Sequence, residues 1–462
     1  MPSRWIRIDP AERMRNGLRA IRAEAEVPTE FPPGVEAEAE AAAASGPAAD
    51  ADRADLPFVT IDPPGSRDLD QAMHIERRGD GHRVSYAIAD VGSFVAPGSA
   101  LDADTHARGV TVYAPDANTP LHPPVLSEGA ASLLPGKWRP AVLWTIDLDG
   151  AGKPTSTNVA RSQVRSVAQH TYDDVPADLA ALLREVGERR LQLEIERGGV
   201  RLAVPEQEVE PGEGSGQGWT VRYRVPRQVE DDNAQISLLT GMEAARLMLE
   251  AGVGILRTQA APDEKGLKRF RLQCAALGVG WPDGMSYPQL IRSLDPENPK
   301  HAALMHEATG VGRGAGYTAF DGEAPAEHAH FSIAADYAHA TAPLRRLQDR
   351  YVSECCIAAC AGTSPPDWVR EGLAALPKAM SQGARRAGAV ERGVVDLVEA
   401  LLLEGSVGET FDALVIDEGL LQLREPAVRA GLDGECPEAG TEVKVRLKTA
   451  DPEARRVEFV LA

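Results

Sequence analysis

The sequence predicts an α+β protein built from three parts. Residues 1–50 carry a short helical pattern and an Ala- and Glu-rich stretch, and residues 51–403 mix strand-like apolar runs with amphipathic helical patterns. Residues 404–462 change to short alternating strands separated by Gly and Asp turns, a pattern typical of a small β-barrel. We therefore expect a small helical module, a large mixed sheet-and-helix domain and a terminal barrel.

The first part begins with a helix-start pattern, in which Asp9 is the N-cap candidate and Pro10 is a first-turn proline. Apolar residues then recur at helical spacing: Met14, Leu18 and Ile21. The arginines of this stretch either contact a nucleic acid or form a solvated helix face: Arg13, Arg15, Arg19 and Arg22. Residues 36–55 predict a flexible or partly helical linker. Residues 1–50 are therefore enough for a small helical module, at most one of helix-turn-helix type.

The middle part alternates strand and helix patterns. Strands are predicted at residues 84–89, 111–113, 142–148 and 220–225, the last preceded by a turn-rich hairpin tip at 212–218. Amphipathic helices are predicted at residues 175–196, 235–257 and 373–403. No internal repeat is visible in the sequence.

Composition narrows the class of protein. The chain has no apolar run long enough to span a bilayer and no signal-peptide pattern at its start. Its five cysteines have neither metal nor disulfide spacing. We therefore expect a cytoplasmic, monomeric protein with no membrane partner.

The formal net charge of −20 argues against an ordinary nucleic-acid-binding surface, since phosphate contacts need cations. It permits a narrow channel lined by arginines, because exposed charges are screened beyond a Debye length of roughly 8 Å. The many arginines fit such a channel, and a biased base composition of the genome explains them equally well.

Residues 59–72 contain the clearest chemical signal. A short apolar strand pattern leads to Asp62, a Pro-Pro-Gly turn follows, and Asp68 and Asp70 come two residues apart. On an extended segment Asp68 and Asp70 project to the same side, and the turn can fold Asp62 back towards them. Such carboxylates suit Mg²⁺ or Mn²⁺ and hence phosphate chemistry. The alternative is a solvated acidic loop with Asx-type turns.

Together with residues 84–97 and 108–115, this stretch resembles the catalytic domain of the RNase II family, which includes bacterial RNase II and RNase R. The acidic signature of the family falls on Asp62, Asp68, Asp70 and Gln71, so the fourth acid is replaced by Gln71. Relatives usually carry two cold-shock barrels before this domain, and residues 1–50 are too few to hold them. The resemblance implies a Mg²⁺ cofactor, with Mn²⁺ possible, and assigns Asp70 the leading catalytic role.

Residues 328–351 resemble a second motif of the family, with Thr341, Pro343, Arg345, Arg346 and Asp349 in place. A first-turn proline followed by adjacent arginines would put guanidinium groups at a helix N-terminus, which favours anions. Arg345 is therefore a candidate for binding the scissile phosphate and neutralising its charge. The alternative is that Arg345 pairs with a carboxylate to hold the fold.

The resemblance also implies further roles. Glu391 matches a family Glu near the metal site, and Tyr113 matches an aromatic residue that can stack on a terminal base. RNA contacts are implied, besides Tyr113, for Arg346, Glu230 and Ser237, although Glu230 serves equally well as a helix cap. The terminal part resembles an S1-type OB-fold, whose candidate RNA-binding residues are Phe411, Lys444 and Arg446.

Taken as a whole, the resemblance implies a 3′-to-5′ exoribonuclease that hydrolyses single-stranded RNA and releases nucleoside 5′-monophosphates. Asp62, Asp68 and Asp70 would hold the metal, and water rather than a protein side chain would attack. Two alternatives stay open. One is a catalytically weakened RNA-binding protein of the same fold, and the other is a metal-dependent phosphohydrolase acting on a small substrate.

Overall fold

A computed structural model describes residues 10–46, 52–202, 206–211, 219–224, 227–296, 298–312, 314–423 and 428–462. The helices are α1 Pro10–Glu24, α2 Pro33–Ser45, α3 Ala100–Arg108, α4 Ala177–Arg197, α5 Gln228–Ala251, α6 Glu264–Ala276, α7 Tyr287–Ser293, α8 Pro299–Val311, α9 Leu347–Ala361, α10 Asp367–Leu373 and α11 Leu376–Leu403. The strands up to β8 are β1 Arg53–Ile61, β2 Gln71–Arg78, β3 Gly81–Ala89, β4 Trp138–Leu148, β5 Pro154–His170, β6 Glu206–Pro211, β7 Trp219–Arg224 and β8 Val253–Thr258. The remaining strands are β9 Gly316–Asp321, β10 Ala329–His330, β11 Ala335–Asp336, β12 Thr410–Asp417, β13 Leu420–Leu423, β14 Arg429–Asp433, β15 Glu442–Asp451 and β16 Arg456–Leu461.

A closed barrel of β1 to β5 organises the large domain. Neighbouring strands are antiparallel except β1 and β5, which run parallel and close the barrel. Alternate side chains of these strands, Tyr86 and Trp144 among them, join one core with Ile236 and Leu239 of α5. The segment between β1 and β2 therefore lies at one rim of the barrel, and it carries the acidic cluster.

The helix predicted at 235–257 is wrong at both ends. It begins at Gln228 and ends at Ala251, because Gly252 adopts a left-handed conformation with φ of 73° and terminates it. Arg257 then lies in β8, which pairs antiparallel with β9. The predicted helix at 175–196 is confirmed as α4, whereas the hairpin tip at 212–218 lies outside the described residues.

The stretch predicted as a flexible or partly helical linker, residues 36–55, is partly helical, but where the structure describes it, it is not a free linker. Most of this stretch belongs to α2, whose Val35 and Ala39 are buried in a cluster with Phe58 and Leu101. A small-residue helix face can pack closely, and burial of that face stabilises a helix whose composition looks linker-like. The N-terminal segment is thus docked onto the large domain.

The strand predicted at 111–113 is wrong. Within it, Val112 forms an isolated bridge with Thr119, and the neighbouring Val110 bridges Arg346. The helix predicted at 373–403 is confirmed as α11, which begins at Leu376 with Pro377 in its first turn, whereas Leu373 ends α10. Within the described residues, no helix is both long and apolar enough to cross a bilayer.

The terminal barrel is confirmed. Strands β12 to β16 close in the order β12-β13-β14-β16-β15 around buried Val415, Leu447 and Phe459. Leu414 and Ile416 of β12 face outwards and join a second cluster with Phe270 of α6. The barrel is therefore packed against the helical segment that follows β8.

Candidate active site

Asp70 is the most buried of the three acidic residues, with 2% of its surface exposed. Leu69 beside it is held by Ser132, whose Oγ accepts the Leu69 N–H at 3.0 Å. One Asp70 oxygen accepts the Leu344 N–H at 2.7 Å, and the other lies 3.3 Å from Nε of Arg345. Burial raises the pKa of Asp70 to about 8, even though Arg345 acts in the opposite direction.

Asp62 follows β1 and lies near the same arginine. Its Oδ2 is buried and has no hydrogen-bond partner among the described residues. Burial raises the pKa of Asp62 to about 6, Arg345 lowers it and Asp68 adds to the rise. A buried carboxylate oxygen without a hydrogen-bond donor is energetically costly.

Asp68 is only partly buried and accepts a hydrogen bond from the Tyr113 hydroxyl at 3.2 Å. This bond connects the acidic segment to the segment carrying Tyr113, whose side chain is 47% exposed. Across the described residues, no group of three His, Cys, Asp or Glu side chains is already assembled as a metal-ligand set. Metal binding by Asp62, Asp68 and Asp70 thus stays a prediction.

The segment that carries Arg345 differs from expectation. Helix α9 begins at Leu347 with Arg346 as its N-cap residue, so Pro343 precedes the helix instead of occupying its first turn. Arg346 is extended, with φ of −138°, and bridges Val110. The Arg345 carbonyl accepts the Thr111 N–H at 3.0 Å, and a β-bridge rather than a helix end fixes the two arginines.

The two adjacent arginines have different partners. Arg346 pairs with Asp349 at 2.7 Å and is largely buried. Arg345 faces Asp70 and keeps 45% of its side chain exposed. Burial opposes its charge, but Asp70 and Tyr113 together outweigh burial, so the pKa of Arg345 is raised above its ordinary value. Arg345 therefore stays cationic and half-exposed beside a buried carboxylate, a position that suits both a structural ion pair and contact with a phosphate.

Two further residues, Gln71 and His122, support this site through hydrogen bonds between distant segments, and no sequence pattern singled out His122. The Gln71 side-chain amide donates to the Thr341 carbonyl, which ties the start of β2 to the Arg345 segment. His122 is buried and its Nδ1–H donates to the Leu344 carbonyl at 3.2 Å, while the Leu344 N–H donates to Asp70. Both contacts depend on the tertiary fold.

A cavity of about 560 Å³ opens beside these residues. Asp62, Gln71 and Arg345 line one part of it, and α4 and α5 line another part. Of the predicted RNA-binding residues, the cavity wall includes Arg346, Glu230 and Ser237. Glu230 also accepts the Arg227 N–H at 3.3 Å as a helix cap, and Ser237 bonds to the Tyr86 hydroxyl at 2.9 Å.

The remaining candidates lie elsewhere. Glu391 is exposed on α11, next to Val390, which packs in one cluster with Val112. In the terminal barrel, Phe411 packs edge-on against Phe459 with ring centres 5.8 Å apart. Basic groups of the same barrel are exposed: Lys444, which pairs with Asp412 at 3.0 Å, and Arg446. Their RNA contacts and the catalytic role of Glu391 stay predictions.

The fold and the site can now be compared with known proteins. The RNB domain family matches residues 51–360, and the RNase II-type exonuclease C-terminal S1 domain matches residues 409–462. The chain therefore belongs to the RNB-domain family. Ribonuclease R of Escherichia coli is 27% identical over 405 residues, which is 79% of this chain and 48% of that protein. Ribonuclease R of Aquifex aeolicus is 27% identical over 464 residues, 87% of this chain and 63% of that protein.

The chain thus spans about half the length of the first of these relatives. Among solved structures, the apo form of Mycoplasma genitalium RNase R has a TM-score of 0.85 at 18% identity, covering 98% of this chain and 78% of that one. Yeast Ssd1, described as a pseudonuclease, has a TM-score of 0.64 at 15% identity, covering 92% of this chain and 56% of that one. These likenesses show the fold, which is shared by a nuclease and a pseudonuclease.

Proposed function

We propose that this protein hydrolyses single-stranded RNA from its 3′ end, in the 3′-to-5′ direction, and releases nucleoside 5′-monophosphates. The single observation that carries the proposal is the pairing of buried Asp70 with half-exposed Arg345 beside Asp62, at the wall of a cavity. Membership of the RNB-domain family supports the class of reaction. Ribonuclease R relatives support RNA as the substrate.

Arg345 would bind the scissile phosphate. The Arg345 backbone is held by the Thr111 N–H, and its guanidinium is held by the ion pair with Asp70. The position of the guanidinium is therefore set before substrate binds. A fixed cation stabilises the negative charge that builds on a phosphate during in-line displacement. Although burial opposes its charge, the pKa of Arg345 stays above its ordinary value, so this cation persists throughout the neutral range.

A divalent cation fits the carboxylates of the site. The buried Oδ2 of Asp62, which has no hydrogen-bond donor among the described residues, and the buried carboxylate of Asp70 are hard oxygen donors, and burial raises the pKa of both groups. Mg²⁺ or Mn²⁺, held by Asp62, Asp68 and Asp70, would supply an activated water and charge neutralisation on the leaving 3′ oxygen. The assignment rests on the chemistry of these oxygen donors, since among the described residues they do not form a preassembled metal-ligand cluster.

Tyr113 would hold the terminal nucleotide. Its hydroxyl bonds to Asp68, and its side chain is 47% exposed, which leaves area for stacking on a base. Arg346, Glu230 and Ser237 would contact the strand along the cavity, and the terminal barrel would contribute Phe411, Lys444 and Arg446. We also propose that the protein acts in the cytoplasm as a monomer.

A second candidate function is RNA binding without cleavage. It is favoured by Gln71, which takes the place of the fourth family acid and supplies a neutral amide, bonded to the Thr341 carbonyl, instead of a carboxylate. A pseudonuclease with the same fold makes this a realistic outcome. The third possibility, hydrolysis of a small phosphate ester, has no specific observation in its favour.

The test is an RNA ladder experiment. A 5′-labelled single-stranded RNA is incubated with the protein and Mg²⁺, and intermediates and small products are resolved by length and identified by mass. Progressive shortening from the 3′ end with nucleoside 5′-monophosphates as products supports the proposal. Bound but intact RNA supports the second candidate, and cleavage of a mononucleotide without RNA binding supports the third.

A further inference from the structure

The loop that carries Tyr113 is closed at its base. Val112 and Thr119 exchange backbone hydrogen bonds of 2.9 and 2.8 Å. Tyr113 follows directly after this closure, and Asp116 lies at the far end of the loop. The closure fixes the base of the loop, whereas the direction of Tyr113 also depends on what holds the far end.

Arg22 of α1 holds that far end. Its Nη1 donates to Asp116 Oδ2 at 3.1 Å, and its Nη2 donates both to the other Asp116 oxygen and to the Ala117 carbonyl at 3.1 Å. The side chains of Arg22 and Asp116 are only 12% and 28% exposed. A bidentate guanidinium–carboxylate pair of this kind is directional, and partial burial limits its screening by solvent.

Helix α1 is itself firmly placed. Its apolar face, with Leu18 and Ile21, packs in one cluster with Val112 of the loop and Val390 of α11. Near its start, Arg13 forms a bidentate pair with Glu404, at 2.6 and 3.0 Å, which lies directly after α11. Arg22 therefore projects from a fixed support, and the loop contacts α1 both at its base and at its far end.

We propose that α1 completes the site for the 3′-terminal nucleotide, with Arg22 as a positioning residue that holds Tyr113 in place to stack on the terminal base. The inference rests on the proposed function, because it assigns Tyr113 to that base. Arg22 itself touches Asp116 and Ala117 and does not touch Asp68 or Arg345. Its effect on the nucleotide passes through the loop.

The chain offers a matched control. Arg13 and Arg22 lie on the same helix, and each makes a bidentate pair with a carboxylate outside that helix. Only the Arg22 pair reaches the Tyr113 loop. Arg13→Ala therefore measures the cost of loosening α1, and Arg22→Ala measures that cost together with release of the loop.

The readout is stacking on the terminal base. Each variant is made in an Asp70→Asn background and mixed with single-stranded RNA that ends in 2-aminopurine, whose fluorescence falls when the base stacks on an aromatic ring. We expect quenching in the parent and in the Arg13→Ala variant. We expect Arg22→Ala and Tyr113→Ala to lose most of it, and Arg22→Lys to recover part of it.

Turnover supplies the second readout, with Asp70 intact. Stacking on an aromatic side chain is worth roughly 1–3 kcal/mol per base, so Tyr113→Ala should lower kcat/KM about 5- to 150-fold. Arg22→Ala should lower kcat/KM by less than Tyr113→Ala does, mainly by raising KM. Because both act on one contact, the double variant should be no worse than Tyr113→Ala alone.

Several outcomes would overturn the inference. These are equal quenching and turnover in Arg22→Ala and Arg13→Ala, or losses from Arg22→Ala and Tyr113→Ala that multiply in the double variant. Thermal unfolding of every variant shows whether a loss reflects a protein that no longer folds. If Arg22→Ala does not fold, Arg22→Lys is tested in its place, and quenching by Arg22→Lys equal to that of the parent would then overturn the inference. A parent protein that quenches the terminal base but never cleaves RNA would reject the proposed catalysis and leave the positioning role of Arg22 standing.

Discussion

Asp70 and Arg345 lie far apart in sequence, yet Oδ2 of Asp70 is 3.3 Å from Nε of Arg345. The backbone reinforces this pair, since the Leu344 N–H donates to the second Asp70 oxygen at 2.7 Å. The two segments therefore form one unit in which a buried carboxylate fixes a partly exposed cation.

Replacing Asp70 by Asn should abolish hydrolysis and preserve binding. Asn is nearly isosteric and its side-chain oxygen can still accept the Leu344 N–H, but the negative charge facing Arg345 is lost. We expect a fall in kcat of at least about 100-fold, with the Kd for single-stranded RNA within about threefold of the parent. Asp147→Asn, which alters a carboxylate paired with Arg83 on the outside of the barrel, is the control. Undiminished turnover by Asp70→Asn would remove Asp70 from the chemistry.

Replacing Arg345 by Lys tests whether geometry matters as well as charge. Lysine keeps the positive charge but cannot reproduce the forked guanidinium that reaches both Asp70 and a phosphate. We expect kcat to fall roughly 100-fold, as for loss of one preorganised charge-stabilising donor, with a smaller change in KM. Arg370→Lys, at an exposed pair with Asp321, should have no effect. A change in protein stability without a change in kcat would favour the purely structural role of Arg345.

Gln71 should stabilise the site without taking part in metal binding. Gln71→Ala leaves the Thr341 carbonyl without this donor, and we expect the free energy of unfolding to fall by about 1 kcal/mol. Gln71→Asp places a carboxylate against the same carbonyl, so without Mg²⁺ its Tm should be lower than that of Gln71→Ala. When Mg²⁺ is added, the Tm of Gln71→Asp should rise more steeply than that of the parent. Equal Mg²⁺ responses in parent and Gln71→Asp would show that position 71 does not face the cation.

His122 should make stability depend on pH. Burial lowers the pKa of His122 from 6.5 to about 4, although its bond to the Leu344 carbonyl acts in the opposite direction. The unfolded chain therefore binds more protons between these values, so the stabilisation is fully present above pH 6.5 and is lost as the pH falls towards 4. At 1.36 kcal/mol per pKa unit, His122 contributes on the order of 1–3 kcal/mol to this loss.

Denaturant unfolding between pH 7.5 and 4 measures that contribution. His122→Asn keeps a side-chain donor but cannot titrate, so its free energy of unfolding should fall less steeply with decreasing pH. The same substitution at His328, which is half-exposed beside Asp336, is the control for adding an Asn. A slope for His122→Asn equal to that of the parent would show that His122 is not the group responsible.

Apolar alternation and helical periodicity predicted the elements whose limits depend mainly on nearby residues. The apolar alternation of the terminal strands indicated a closed barrel, and the periodicity of residues 175–196 indicated α4. The helix that begins at Gln228 was misplaced because its ends depend on the left-handed Gly252 and on pairing of β8 with β9. Helix α2 was mistaken for a linker because its stability comes from packing against the large domain.

The same distinction applies to the site. Motifs in the sequence indicated Asp62, Asp68, Asp70 and Arg345, and the structure places Arg345 3.3 Å from Asp70. The start of α9 was misplaced because the β-bridge between Arg346 and Val110 extends the chain before the helix. Sequence reasoning offered Arg22 only RNA contact or a solvated face, since its partner Asp116 is distant in sequence.

The central claim is tested most directly by digesting one 5′-labelled single-stranded RNA under three conditions: the parent protein with Mg²⁺, the parent with EDTA, and Asp70→Asn with Mg²⁺. We expect a ladder that shortens from the 3′ end, with nucleoside 5′-monophosphates, only under the first condition, and RNA binding retained by Asp70→Asn. Intact RNA under all three conditions, or the same digestion by Asp70→Asn, would contradict this account.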